Sequence, residues 1–321
     1  GGGYLWSRGY GGSRGEIAGA VAVDSNDGIF IAGSMESSTV DIGGTVLTNA
    51  HNGGTNDLFV ARLDSLGAEQ WASNYGDSTD QCLVLTPCVS LAVDSADNLW
   101  LAGGMAGTVS FGGPSLPEGS DADAVVAKLS NAGATLWEGR FGDAERQYVA
   151  ALAVTPSDHV VATGAYVGAV DFDSGPLPTS TYANGYVARF DENGIGQAAM
   201  ALPSSYGASG RGVAVDANGN VTVLGHFGSP SGGTVTLDGS TTLTCTGGFD
   251  LFVAKYAADE TLLWGYRFGD GYDEIGTALE LDDEGNPLLT GYYKGTLTLG
   301  ATPLPNAGGS YDDVFLAKLR R

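Results

Sequence analysis

The chain has 321 residues, with 37 acidic against 14 basic side chains, so its net charge is −23. Five of the basic residues recur at one repeated strand position, which leaves no basic patch to meet phosphates; nucleic acid and anionic membrane surfaces are poor partners. Hydrophobic residues, at 43%, supply ample core material, and no apolar run approaches the roughly 18 residues that cross a bilayer, so membrane insertion is not expected.

Residues 4–10 read as a strand running through Trp6 to Tyr10. Residues 20–33 are the first copy of a unit that returns at 89–103, 151–164, 212–225 and 277–291. Each copy is an apolar strand (a), a turn rich in Asp, Asn and Gly such as Asp24-Ser-Asn-Asp-Gly28, and a second apolar strand (b) ending in glycine. Those turn residues tolerate the positive φ of tight hairpins. A third strand (c) follows at 58–63, 124–129, 185–190, 251–256 and 314–319. A fourth (d) passes through Trp71, Trp137 and Trp264 to Tyr75, Phe141 and Phe268. In the third repeat strand d is weaker, with Leu202 at the tryptophan position before Tyr206.

With Val23, Val93, Val154, Val215 and Leu281 as equivalent points, the spacings are 70, 61, 61 and 66, and the return from Leu281 to Val23 through the chain ends is 63. Five intervals thus account for the whole chain. Such a period, carrying several short strands, predicts an all-β fold, a five-bladed β-propeller with four antiparallel strands per blade. One domain over 1–321 is expected, with repeats near 11–75, 76–141, 142–206, 207–268 and 269–321 plus 1–10. The N-terminal strand is then expected to close the last blade, because the chain starts on a strand d and stops after a strand c.

Ala92-Val-Asp94, Phe59-Val-Ala-Arg-Leu-Asp64 and Trp137 with Phe141-Gly142 resemble the NHL and SBBP-type bacterial propeller repeats, and the likeness runs over essentially the whole chain. The resemblance implies that strand a lies innermost and strand d outermost. It implies little chemistry, because propellers serve many functions.

Alternating strand direction puts the b-to-c and d-to-a connections at one end of every blade. These loops are long, variable and acidic, and binding sites favour such loops. Asp77, Asp80, Asp143, Glu145, Asp270, Asp273 and Glu274 in the d-to-a connections are the expected ligand-binding residues. Asp171 and Asp173, in Asp171-Phe-Asp-Ser-Gly175, have half the spacing of a Ca²⁺ loop, and Ca²⁺ is the one cofactor they suggest. Cys82 and Cys88 bracket a five-residue insertion and suggest a local disulfide, hence an oxidising compartment. Cys245 is left over as a buried thiol. The in-phase aromatics are expected to pack blade on blade, and the in-phase cations Arg62, Lys128, Arg189, Lys255 and Lys318 to pair with acidic neighbours.

Catalytic signals are thin. The inner strands carry only Glu280 among titratable residues, and one carboxylate is no acid/base pair. The expectation is therefore a monomeric, non-catalytic binding or interaction propeller that is secreted, periplasmic or attached to the outer surface. Its partner there is a cell-surface protein or glycan. The alternatives are a carbohydrate-active hydrolase and a structural spacer of a larger surface protein.

Overall fold

The structure is a computed structural model describing residues 2–81, 88–113, 116, 121–308 and 311–320. It is all-β, with no helix among the described residues, and is of the five-bladed β-propeller class: five antiparallel blade sheets follow one another along the chain. The chain divides into two compact units, residues 1–149 and 150–321.

In the first unit, β1 (Glu16–Val23) pairs with β2 (Ile29–Met35), a small hairpin of β3 (Thr39–Ile42) and β4 (Thr45–Thr48) follows, and β5 (Asp57–Leu63) and β6 (Glu69–Tyr75) complete a four-stranded sheet. Next come β7 (Val89–Val93), β8 (Leu99–Met105), β9 (Asp123–Leu129) and β10 (Thr135–Phe141), paired in the same order. Phe30, Leu58 and Tyr75 of the first sheet pack on Leu99, Leu101 and Val125 of the second in one core. Burying each such side chain contributes roughly 1.5–3 kcal/mol, so repeats place their largest apolar groups here.

The third sheet is β11 (Gln147–Val154), which begins just before the unit boundary, with β12 (Val160–Gly168), β13 (Ser180–Phe190) and β14 (Gly196–Leu202). The fourth is β15 (Ala208–Val215) and β16 (Val221–Gly228), then, after a hairpin of β17 (Gly233–Thr236) and β18 (Thr242–Cys245), β19 (Phe249–Tyr256) and β20 (Leu262–Phe268). The fifth has three strands: β21 (Glu274–Leu281), β22 (Pro287–Tyr293) and, beyond a hairpin of β23 (Thr296–Leu297) and β24 (Leu304–Pro305), β25 (Asp313–Lys318).

The fifth sheet corrects one expectation. Residues 4–10, read as its fourth strand, belong to no ladder among the described residues, and β25 is an edge strand with Val314 and Leu316 exposed at 80% and 77%. Trp6 nevertheless makes on the first sheet the contact of a strand d tryptophan. Its indole N–H donates to the Ser65 carbonyl at 3.0 Å, and its ring lies where a Cβ on Gly67 would sit 2.9 Å away.

The third sheet corrects another. Leu202 pairs with Gly185 as Tyr75 pairs with Leu58 and Phe268 with Leu251, so Leu202 holds the closing aromatic position and Ala198, opposite Arg189, holds the tryptophan position. Tyr206 lies four residues beyond strand d and is 50% exposed rather than packed.

The repeated turns form as the sequence requires. In the first, Asp24 Oδ1 accepts the Asn26 and Gly28 N–H groups at 3.0 and 2.7 Å, while Asp27 takes φ 59°. The side chain thereby closes a turn that would otherwise leave backbone donors bare. The same carboxylates receive the repeated cations: Arg62 on Asp24 at 2.6 Å, Lys128 on Asp94 and Lys255 on Asp216 at 2.8 Å, and Lys318 on Asp282. In the third repeat Thr155 replaces the acid, and Arg189 turns to Glu260 at 3.7 Å.

Candidate functional site

Three of the d-to-a connections share one internal design. Counting from the last residue of strand d, position +2 is Asp77, Asp143 or Asp270, and position +6 is Gln81, Gln147 or Glu274. Asp77 Oδ1 accepts the Thr79 N–H and hydroxyl and the Gln81 amide, and its Oδ2 accepts Thr108 N–H at 2.6 Å. Burial opposes the charge on Asp77, yet these donors hold its pKa below the usual carboxylate value. Asp143 Oδ1 accepts Glu145 N–H at 2.8 Å and the Gln147 amide at 2.9 Å. Asp270 accepts Tyr272 N–H at 2.9 Å and Thr296 N–H at 2.7 Å.

The remaining acids of this set act one residue earlier than the +6 position or stay in solvent. Asp80 accepts Asn56 N–H at 2.7 Å, and Asp273 accepts Phe249 N–H at 2.9 Å, each pinning the start of a strand c. Glu145 is exposed, and Glu274 is fully buried. Of the seven residues expected to bind a ligand, six therefore hold their own loop or strand start through hydrogen bonds. An acidic loop in sequence does not reveal whether its oxygens already have donors; backbone N–H groups from the next connection decide that.

A second acid faces each design from the start of strand c. Asp57, Asp123 and Asp250 are buried, and in each the Oδ1 atom has no hydrogen-bond partner. Desolvation raises the pKa of all three, and takes that of Asp250 to about 6 although Arg267 sits on its other oxygen at 2.5 Å. These acids lie inside the blades.

Asp171 accepts Gly175 N–H through Oδ1 at 3.0 Å and bridges to Pro176, while Asp173 takes φ 65°; together they close a hairpin between β12 and β13. No group of three or more His, Cys, Asp or Glu residues placed to hold a metal occurs among the described residues. Cys82 lies outside the described residues, so the expected Cys82–Cys88 bridge does too. Cys88 packs half-buried on the core of the first unit, and Cys245 is free and buried.

Exposed side chains of the long loops include four tyrosines. Tyr182 at the start of β13 and Tyr206 in the β14–β15 connection are 49% and 50% exposed, with ring centroids 5.8 Å apart. Tyr272 in the β20–β21 connection and Tyr311 before β25 are exposed at 57% and 79%. The sequence held a signal for Tyr206: Leu202, not Tyr206, stands 13 residues before Val215, the interval three of the other four repeats keep. An aromatic out of repeat phase in a Ser/Gly loop does not reach the blade core that the in-phase aromatics fill, and here it meets only the exposed Tyr182 ring. The inner strands carry other ionisable groups than Glu280: Glu16, Tyr148, Glu274 and Arg211. Arg211 sits at the β15 bulge, with its Nε buried and without a partner.

Each unit has a cleft beside short turns of its own sheets. In the first unit, one of about 610 Å³ is lined by Gly3, Leu5, Trp6, Val23, Asp27, Ile29 and Ser65. The other, of about 440 Å³, is lined by Asn286, Lys318, Leu319 and Arg320.

No family model matches the chain, and no curated protein matches it. Among solved structures it is similar to a protein of unknown function from Bacteroides caccae, at 9% identity and TM-score 0.39 over 81% of this chain and 69% of that one. It is also similar to the Neurospora crassa Pan2 WD40 domain, at 7% identity and TM-score 0.42 over 88% of this chain and 74% of that one. A third similarity is to a polysaccharide lyase, the PL25 ulvan lyase, at 12% identity and TM-score 0.44 over 86% of this chain and 64% of that one.

Proposed function

We propose that this protein is a non-catalytic binding propeller, secreted or held at a cell surface, that recognises a glycan or protein through tyrosines at the long-loop end of its sheets. The observation that carries this reading is the exposed Tyr182–Tyr206 pair, two rings 5.8 Å apart on a rigid sheet end. A tyrosine offers an apolar face and a hydroxyl at low entropic cost, which is why exposed pairs of this kind suit recognition. The expected acidic ligands are absorbed into loop architecture, which moves the recognition chemistry from charge to aromatic stacking. A binding role without catalysis fits the inner strands, where the acid Glu280 is exposed and stands without a second carboxylate on β21 except the buried Glu274 at its far end.

The test is a glycan-array and whole-cell binding screen of the chain beside a Tyr182→Ala/Tyr206→Ala double variant. The expected result is binding that weakens at least ~10-fold in the variant, the loss of about 1.4 kcal/mol or more, with an unchanged melting temperature. Undiminished binding by the variant would remove this surface as the site.

A further inference from the structure

We propose that Glu274 is held as a neutral carboxylic acid whose Oε1–H donates to Asp270, the hydrogen bond that the amides of Gln81 and Gln147 make at the equivalent connections, so that losing this proton unlatches the β20–β21 connection.

The three connections correspond residue by residue in sequence position and in contacts. Gln81 Nε2 donates to Asp77 Oδ1 at 2.8 Å, and Gln147 Nε2 donates to Asp143 Oδ1 at 2.9 Å. The carbonyl Oε1 of Gln147 accepts Asp143 N–H at 3.3 Å, and it lies 2.4 Å from where a Cβ on Gly142 would be. Glu274 Oε2 matches it on both counts: it accepts Asp270 N–H at 3.0 Å and lies 2.5 Å from where a Cβ on Gly269 would be. Glu274 Oε1 therefore stands where the glutamine nitrogen stands. That atom is buried without a hydrogen-bond partner in a side chain that is 0% exposed. An ionised carboxylate there would set acceptor against acceptor, whereas the acid supplies the missing donor.

The surroundings favour the proton. Burial first, then the negative charges of Asp270, Asp250 and Asp273, raise the Glu274 pKa to about 8 against the opposing Asp270 N–H. The cation nearest on β20, Arg267, is bound to Asp250, and Lys294 beyond β22 pairs with Asp312 at 3.6 Å. On β22 and β25 the facing groups are Tyr293 and Asp313, which pair in register beside Glu274. On the packed strands β15 and β16 the ionisable groups are Arg211 and His226. Burial and then Arg211 push His226 to about 3, so it carries no charge at neutral pH. The unpartnered Asp250 Oδ1 is no rival explanation, because Asp57 and Asp123 have the same bare atom beside a neutral glutamine.

The sign follows from linkage. The unfolded chain releases the Glu274 proton near 4.3, the native chain near 8, so native stability falls as pH rises across that window and then levels off. The test is Glu274→Gln, which installs the residue two other connections already carry. Its melting temperature should match wild type at pH 5 and exceed it by roughly 5 °C or more at pH 9. Parallel curves for the two proteins would overturn the proposal, as would an alkaline loss removed by Asp250→Asn and not by Glu274→Gln. Should the variant fold poorly, the ¹³C shift of the Glu274 carboxyl in the intact wild-type chain reads the proton directly. A midpoint above about 7 supports the latch, and one below about 5 overturns it.

Discussion

Trp71 donates its indole N–H to the carbonyl of Asn131 at 2.9 Å, joining strand d of the first sheet to the last turn of the second. The ring lies where a Cβ on Gly133, itself at φ 82°, would approach to 2.9 Å, so this glycine both makes the turn and admits the indole. Trp6 makes the same contact one sheet earlier, on Ser65 and Gly67.

Trp71→Ala should lower stability by about 2–4 kcal/mol, and Trp71→Phe, which keeps the ring and removes the donor, by about 1 kcal/mol. Urea denaturation at neutral pH measures both. Equal losses in the two variants would show that ring packing on Gly133 contributes nothing.

Thr155→Asp should restore the carboxylate that four of the five turns present to their strand c cation, and raise stability by roughly 1 kcal/mol through a charge-assisted hydrogen bond to Arg189. The gain should vanish in an Arg189→Met background. A gain that survives there would belong to turn closure alone, and a double-mutant cycle separates the two.

The Asp24 carboxyl gives the molecule an acid-sensitive point. Burial would raise its pKa, but the Arg62 guanidinium, the Gly28 and Asn26 N–H groups and the Asn131 amide outweigh burial and take it down to about 2. A depressed native pKa means that its contribution is complete above about pH 4 and disappears as pH falls toward 2. Asp24→Asn should therefore be less stable than wild type at pH 7, with the difference shrinking between pH 4 and 2. Denaturant midpoints across that range that keep a constant gap would rule this out.

Cys245 is free and buried in the folded chain, and if the expected Cys82–Cys88 bridge forms, thiol titration under denaturant without reductant finds Cys245 as its one reactive group. Three reactive thiols would eliminate the Cys82–Cys88 bridge.

Local signals carried most of the fold. Val, Leu and Ala runs beside Asp/Gly turns state their hairpins without reference to the rest of the chain, and the pairing of Lys128 and Lys255 with turn acids follows from one strand position and one turn position. Where a signal was read out of phase, at Leu202 and Tyr206, the register of β13 with β14 corrected it, because cross-strand pairing admits only one frame. The site was far less legible. Asp77, Asp143 and Asp270 look alike in sequence whether they face solvent or accept two or more donors.

By itself the sequence determined the all-β class, the number of repeats and the turn chemistry, since these depend on side chains acting on backbone within a few residues. Only the tertiary structure decided that the acids are internal struts, that Tyr182 and Tyr206 stand exposed together, and that Glu274 occupies a glutamine's place. Those outcomes rest on burial and on how donors converge, some from the same loop and some, such as Thr108 N–H on Asp77 and Thr296 N–H on Asp270, from connections more than 20 residues away.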